Sequence, residues 1–386
     1  MTAVVVHAVA DGPADAPVVL LIGSLGSTLE MWDPQVAALG EAWRVVRYDT
    51  RGHGRSPVPA GPYRLDDLVD DAVALLDRLD VRRVAVVGLS LGGMTAMRLA
   101  AREPHRVSSL AVLCTSALLG PASAWSERAA AVRAEGTGSV AAAVVARWLT
   151  GPARADQPAR VSALQAMVAG TPAEGYAACC EAIADMDLRA DLPRITAPTL
   201  AVAGAEDPAT PPEHLRDIAS AIPGARLLVL PGAAHLANVE QPAAVNAALL
   251  LHLQTGVRDD DRREQGMQVR RQVLGDQHVD RAVAGTTELT AAFQDLITRY
   301  AWGDVWSRPG LDRRTRSMLT VALLTASGHQ HELALHVRAA VRNGVTAEEV
   351  AEVILHTAVY AGVPAANSGL SVAQRVLDEL EAEGPS

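Results

Sequence analysis

The sequence predicts two domains of different class: a doubly wound, mostly parallel α/β sheet with a helical insertion, then an all-α domain. Three observations carry this. The chain has 386 residues, more than one ordinary domain of about 100–200 residues holds. Up to residue 254 it alternates short apolar runs with helical stretches, the pattern of strands joined by crossover helices. Beyond residue 267 only helical periods remain.

In chain order, the candidate strands are VVLLI (Val18–Ile22), WRVVRY (Trp43–Tyr48), VAVV (Val84–Val87), LAVL (Leu110–Leu113), TLAVA (Thr199–Ala203) and RLLVL (Arg226–Leu230). They are continuous apolar runs, as expected of parallel strands covered on both faces. Helical segments such as Leu65–Leu79 and Gly92–Arg102 lie between them. Residues 121–190 are Ala-rich and strand-free, which predicts a helical cap inserted between two strands. TGVRDDDRREQG, residues 255–266, has little surface to bury and predicts an exposed linker. Residues 267–386 form the all-α domain, with helices predicted at Leu289–Tyr300, Asp312–Ser327, Glu332–Asn343, Ala347–Ala361 and Ala366–Glu383. Gly344 is a helix stop, and Thr346 with Glu349 a capping box.

Composition excludes several chemistries. All 34 basic residues are arginine. Without lysine there is no Schiff base and no Walker-type phosphate loop. A net charge of −10 with no basic cluster argues against nucleic acid. Three cysteines, Cys114, Cys179 and Cys180, show no disulfide framework or zinc spacing, so a reducing cytoplasm is expected. The N-terminal stretch lacks the basic start and apolar core of a signal peptide. The uncharged run from Val107 to Ser126 carries Gly120 and Pro121 and reads as strand and loop, not as a membrane span.

Gly88-Leu89-Ser90-Leu91-Gly92 follows a strand and opens a helix, the context that makes G-x-S-x-G a nucleophile elbow. A serine nucleophile needs a base and an orienting acid. Asp207, after TLAVA, and His235, after RLLVL, follow in the order this arrangement requires. Glu206 is a weaker candidate for the acid, and His252 a packing residue. The oxyanion donors are the N–H of Leu91 and, from the loop after VVLLI, that of Leu25. The loop Asp49–Ser56 is expected to brace the elbow.

In the helical domain Glu332 and His336 are four residues apart and share a helix face. His356 and Tyr360 repeat that spacing. His336 and His356 interrupt apolar faces and are candidate proton carriers, whereas His329 and His331 read as solvated. With no cysteine in this domain, thiol chemistry is excluded, and no metal site is expected.

DTRGHGRS, GLSLGG, GAEDPATPP and GAAHLANVEQP resemble the α/β-hydrolase fold family. Within it, IGSLGSTLEMWDPQVAAL, AVRAEG, ARWLTG and GYAACCEAIADMDLR resemble 3-oxoadipate enol-lactonases. That resemblance implies hydrolysis of an enol-lactone bearing a carboxylate. Arg128, Arg133, Arg147 and Trp148 are the cap candidates to hold it. LGDQHVDRA, FQDLITRYAWGDVWSRPGLDRRTRSMLTVALLTA, HELALHVRAAVRNGVTAEEVAEVILHTAVYAGVPAA and NSGLSVAQRVL resemble the carboxymuconolactone decarboxylase family. This implies cofactor-free loss of CO2 from 4-carboxymuconolactone. His336, oriented by Glu332, would give the proton, His356 would meet the oxyanion or serve as second acid, and Arg313, Arg314 or Arg316 would hold the carboxylate that stays. Together the resemblances imply two consecutive steps of protocatechuate catabolism in the β-ketoadipate pathway. They also imply a homo-oligomer built on the helical domain. The alternative is a serine esterase fused to an inactive, oligomerising decarboxylase-like domain.

Overall fold

Each strand predicted from the sequence forms, and a seventh joins them at the sheet edge. In the computed structural model, residues 2–255, 259–308 and 310–383 are described. The chain divides between residues 257 and 258 into two units.

The first unit is built on strands β1 (Ala8–Asp11), β2 (Val18–Ile22), β3 (Arg44–Tyr48), β4 (Val84–Leu89), β5 (Val107–Leu113), β6 (Thr199–Gly204) and β7 (Arg226–Leu230). Their spatial order is β1-β3-β2-β4-β5-β6-β7. All neighbours are parallel except the edge pair β1–β3. β4 and β6 are buried along their whole length, which is why they read as unbroken apolar runs. The helical insertion comprises Ala122–Glu135, Gly138–Trp148, Gly151–Asp156, Pro158–Ala169 and Ala173–Asp185, all between β5 and β6. One hydrophobic core runs from the sheet into this cap. Cys114, Cys179 and Cys180 are free and buried.

The second unit is helical throughout its described residues: Asp259–Leu274, Asp276–Ala284, Glu288–Ile297, a π-helix Thr298–Trp306, then Arg313–Ser327, Gln330–Arg342, Ala347–Ala361 and Val363–Glu383. The Thr346–Glu349 capping box forms in both directions, and Gly344 follows the helix end with φ +85°. The expected linker over 255–266 is corrected: residues 256–258 lie outside the described set, and from Asp259 the chain is helix. Charged side chains do not bar a helix. This one buries Val269, Val273 and Leu274 and also comes close through its backbone: a Cβ on Gly266 would lie 2.0 Å from the Thr298 carbonyl oxygen, and one on Gly303 2.5 Å from that of Arg262. Among the described residues, no helix is long and apolar enough to cross a membrane.

Candidate active sites

Strand β4 delivers its chain into a turn at Ser90, whose φ of +58° is rare for a residue with a side chain. Two glycines permit the turn. A Cβ on Gly88 would meet the Gly92 carbonyl oxygen at 2.2 Å, and one on Gly92 would meet that of Ile22 at 2.0 Å. Ser90 N–H donates to the Leu113 carbonyl at 3.0 Å, and Thr115 Oγ1 donates to the Ser90 carbonyl at 2.6 Å. The strained residue is therefore fixed from its neighbour strand.

His235 and Asp207 meet on the loops after β7 and β6. Nδ1 of His235 lies 2.8 Å from Oδ2 of Asp207. That carboxylate also accepts from Thr210 Oγ1 at 2.7 Å and from the N–H groups of Ala209 and Thr210 at 2.8 and 3.1 Å. Burial opposes its charge, but His235 and these donors hold the carboxyl below its usual range. Glu206 is exposed and takes no part.

Ser90 and His235 open on a cavity of 380 Å³, floored by Ser24 and Leu25 and roofed by the cap. In the loop Ser24–Ser27, Ser24 N–H donates to Met31 Sδ, Gly26 N–H to His53 Nε2 and Ser27 N–H to the Ser24 carbonyl. Among the described residues, the Leu25 N–H meets no acceptor. Leu91, the first residue of the next helix, has an N–H with no partner in its own helix. The Asp49–Ser56 loop braces the Leu25 loop, through His53, rather than the elbow. Its Asp49 also accepts from Leu29 N–H at 2.8 Å. His252 is a buried packing residue bonded to Ser109 and the Leu110 carbonyl, each at 2.9 Å.

From the cap, Arg128, Arg147 and Trp148 line the cavity, joined by Trp125 and Tyr176, which sequence reasoning missed. The Arg128 guanidinium lies 5.4 Å from the rings of both Trp125 and Tyr176. Burial and then Arg128 lower the pKa of Arg147. Neither arginine has a carboxylate partner among the described residues. Arg133 is a correction: it turns away from the cavity and is spent on Glu174 and Glu181 at 2.8 and 2.5 Å.

The second unit gathers fewer of its predicted residues. His336 is half-buried on the helix Gln330–Arg342. Burial, then His278, pulls its pKa down to about 4, against the pull of Glu332. Glu332 is exposed and makes no hydrogen bond to His336 among the described residues. His356 is exposed, stacks on Tyr360 at 5.3 Å and borders a separate pocket of 420 Å³. The structure does not bring His336 and His356 into one pocket. The three arginines at the start of the preceding helix are also apart from His336: Arg313 bonds Gln272, Arg314 bonds Glu349, and Arg316 bonds the carbonyls of Leu311 and Arg308 at 3.1 and 2.9 Å. His329 and His331 are exposed. Among the described residues, no group of acidic, histidine or cysteine side chains could hold a metal. His278, in the motif LGDQHVDRA, was readable in the sequence but not singled out.

The open, mostly parallel sheet, with a strained serine at the turn after β4 and a His–Asp pair on the loops after β7 and β6, is an α/β-hydrolase arrangement. Residues 17–242 match the alpha/beta hydrolase fold family, and residues 291–375 match the carboxymuconolactone decarboxylase family. The chain belongs to the first family through its N-terminal unit and to the second through its C-terminal unit. It is 42% identical to 3-oxoadipate enol-lactonase 2 of Acinetobacter baylyi over 238 residues, 62% of this chain and 89% of that protein. It is 48% identical to 4-carboxymuconolactone decarboxylase of the same organism over 122 residues, 32% of this chain and 91% of that protein. The enol-lactonase from Burkholderia xenovorans LB400 superposes with a TM-score of 0.63 at 40% identity, covering 64% of this chain and 96% of that structure.

Proposed function

We propose that the chain is a bifunctional enzyme: its helical unit decarboxylates 4-carboxymuconolactone to 3-oxoadipate enol-lactone, and its α/β unit hydrolyses that lactone to 3-oxoadipate. The observation that carries this is the pairing itself. Two units of one chain are each similar, over most of the relative's length, to a different enzyme. The product of the one reaction is the substrate of the other.

In the α/β unit, Ser90 Oγ attacks the lactone carbonyl and His235 takes its proton, oriented by Asp207. The N–H groups of Leu25 and Leu91 receive the oxyanion. The ring C–O bond breaks, and the leaving enolate takes a proton to become a ketone. Water, activated by His235, then releases the acid. Arg128 and Arg147, with Trp148 beside them, form the carboxylate end of the cavity. In the helical unit the departing carboxylate is conjugated to the lactone carbonyl, so the substrate is its own electron sink and needs no cofactor. CO2 leaves, a dienolate forms, and carbon takes a proton from His336.

The helical unit also suits a homo-oligomer. Val359, Tyr360 and Val363 are 77%, 80% and 72% exposed, and Leu289 is 91% exposed, more apolar surface than a solvated face needs. Feeding 4-carboxymuconolactone to the purified chain tests the function. CO2 and ring opening should both appear. Ser90→Ala should abolish lactone hydrolysis while CO2 release persists. Surviving hydrolysis would overturn the nucleophile, and absent CO2 would overturn the decarboxylase.

A further inference from the structure

We infer that Arg270, together with His278, forms the carboxylate-holding site of the helical unit. The inference rests on the decarboxylase reading above and names the residues that hold its substrate.

Arg270 lies on the helix Asp259–Leu274 and is 5% exposed. Its Nη1 donates to two neutral acceptors, Gln294 Oε1 at 3.1 Å and Thr298 Oγ1 at 3.4 Å. Its Nε is buried with no acceptor at all. No described carboxylate pairs with it. The neighbouring Arg271, on the exposed side, is taken by both Asp276 and Asp280 at 3.1 and 2.7 Å. The arrangement is thus inverted: the solvated guanidinium is neutralised twice and the enclosed one not at all. An arginine cannot shed its proton to escape this. A buried, unpaired cation is costly unless an anion joins it.

The surroundings favour an anionic ligand. Burial, then Arg270 and Arg281, lowers the pKa of His278. His336, which His278 influences in turn, is held down to about 4. In the ligand-free protein this disfavours protonation of both imidazoles beside one fixed positive charge, and a bound dicarboxylate, bringing two negative charges, favours protonation of His336 before it gives its proton. His278 also borders a cavity of 280 Å³ whose wall carries Arg281, Arg338 and His331 together with Glu379. By contrast, Arg313, Arg314 and Arg316 already have intramolecular partners.

One fixed cation for a substrate with two carboxylates also fits the chemistry. The carboxylate that leaves becomes neutral CO2, so a salt bridge to it would favour the ground state over the transition state. A salt bridge to the carboxylate that stays costs nothing in the step. Arg270 therefore takes the retained group, and the departing one faces His336.

The test uses the full chain as wild type, Arg270→Met and Arg270→Lys. Succinate serves as an unreactive dicarboxylate probe, read as a shift in thermal unfolding. Arg270→Met should raise KM for CO2 release at least tenfold and lose the succinate shift. Its ligand-free unfolding temperature should be unchanged or higher, because an uncompensated charge has gone. Arg270→Lys should recover part of both. Lactone hydrolysis, assayed with enol-lactone directly, should be unchanged. A normal KM with a lower ligand-free unfolding temperature would make Arg270 a structural residue and overturn the inference. If Arg270→Met does not fold, Arg270→Lys decides: an unchanged KM and succinate shift would overturn it. A wild type that releases no CO2 would fail the decarboxylase reading, whereas the succinate shift would still decide the anion site.

Discussion

The N–H of Gly26 donates to Nε2 of His53 at 2.9 Å, so an imidazole on the loop after the neighbouring strand β3 holds the loop that presents Leu25 to the cavity. Nδ1 of the same ring lies 3.2 Å from the Arg51 carbonyl. This bond pattern needs the neutral ring with its proton on Nδ1. Replacing His53 by Ala leaves Gly26 unsupported and lets Leu25 drift. Misplacement of about 1 Å at an oxyanion donor can cost up to about 10²-fold in rate. We expect kcat for lactone hydrolysis to fall toward that limit, with a smaller change in KM and no change in CO2 release. Steady-state kinetics of both activities on His53→Ala check this, and an unchanged kcat would remove His53 from the positioning of Leu25.

Two buried histidines and the half-buried His336 should make the protein acid-labile. Burial first, and for His336 and His252 a neighbouring cation-forming group as well, holds His53, His252 and His336 down to about 4. In the unfolded chain each would titrate near 6.5. Between those values the unfolded state binds protons that the native state refuses, so stability falls as pH drops from about 6.5 toward 4. The contribution is fully present above 6.5. For the fully buried His53 alone the difference amounts to about 3 kcal/mol. Urea unfolding midpoints measured from pH 7 to 4.5 should decline, and His252→Asn should decline less steeply than wild type. Equal slopes would show that His252 does not contribute.

What could be read from the sequence follows from locality. The elbow is five consecutive residues after a strand, so both its geometry and its nucleophile are written in one window. Asp207 and His235 follow their own strands and are legible by order. The short antiparallel edge strand β1, AVAD, has too little apolar surface to stand out. The helix Asp259–Leu274 was concealed because its first half is almost all charged, while its buried residues Val269, Val273 and Leu274 lie in its second half. Arg133 and Arg128 are alike in sequence, five residues apart on one cap helix; only the tertiary positions of Glu174 and Glu181 separate them. Arg270 was invisible for the same reason, since missing partners are a property of the fold and not of the chain.

Glu240 ties the cap to the loop that carries His235. Its Oε1 accepts from Thr150 N–H at 3.0 Å and Thr150 Oγ1 at 2.5 Å, while Oε2 accepts from Ala234 N–H at 2.8 Å. Thr150 lies just after the cap helix that carries Arg147 and Trp148, and Ala234 precedes His235. Leu236 N–H donates to the Trp148 carbonyl at 2.8 Å, closing the same seam. Glu240→Ala should lower kcat and raise KM together, because base and substrate grip lose a common anchor. Glu240→Gln keeps one acceptor and should recover part of both. An effect on stability alone, with kinetics intact, would reduce the bridge to a structural tie.

Arg128 and Arg133 give the sharpest contrast in the cap. Arg128 lines the cavity without a carboxylate partner, its charge set against Trp125 and Tyr176. A substrate carboxylate there gains a charge-assisted bond, worth about 1.5–3 kcal/mol where hydrogen bonds reach a charged group. Arg128→Met should therefore raise KM for the enol-lactone by about tenfold or more. A neutral ester without a carboxylate should be hydrolysed as before, which separates loss of charge recognition from collapse of the cavity. Arg133 faces the other way, into a surface pair with Glu174 and Glu181. Exposed pairs of this kind contribute about 0–1 kcal/mol, so Arg133→Met should leave KM alone and shift the unfolding midpoint only slightly. If the two substitutions raise KM equally, the cap binds its carboxylate by general field rather than at the Arg128 guanidinium, and the assignment of that end of the cavity falls.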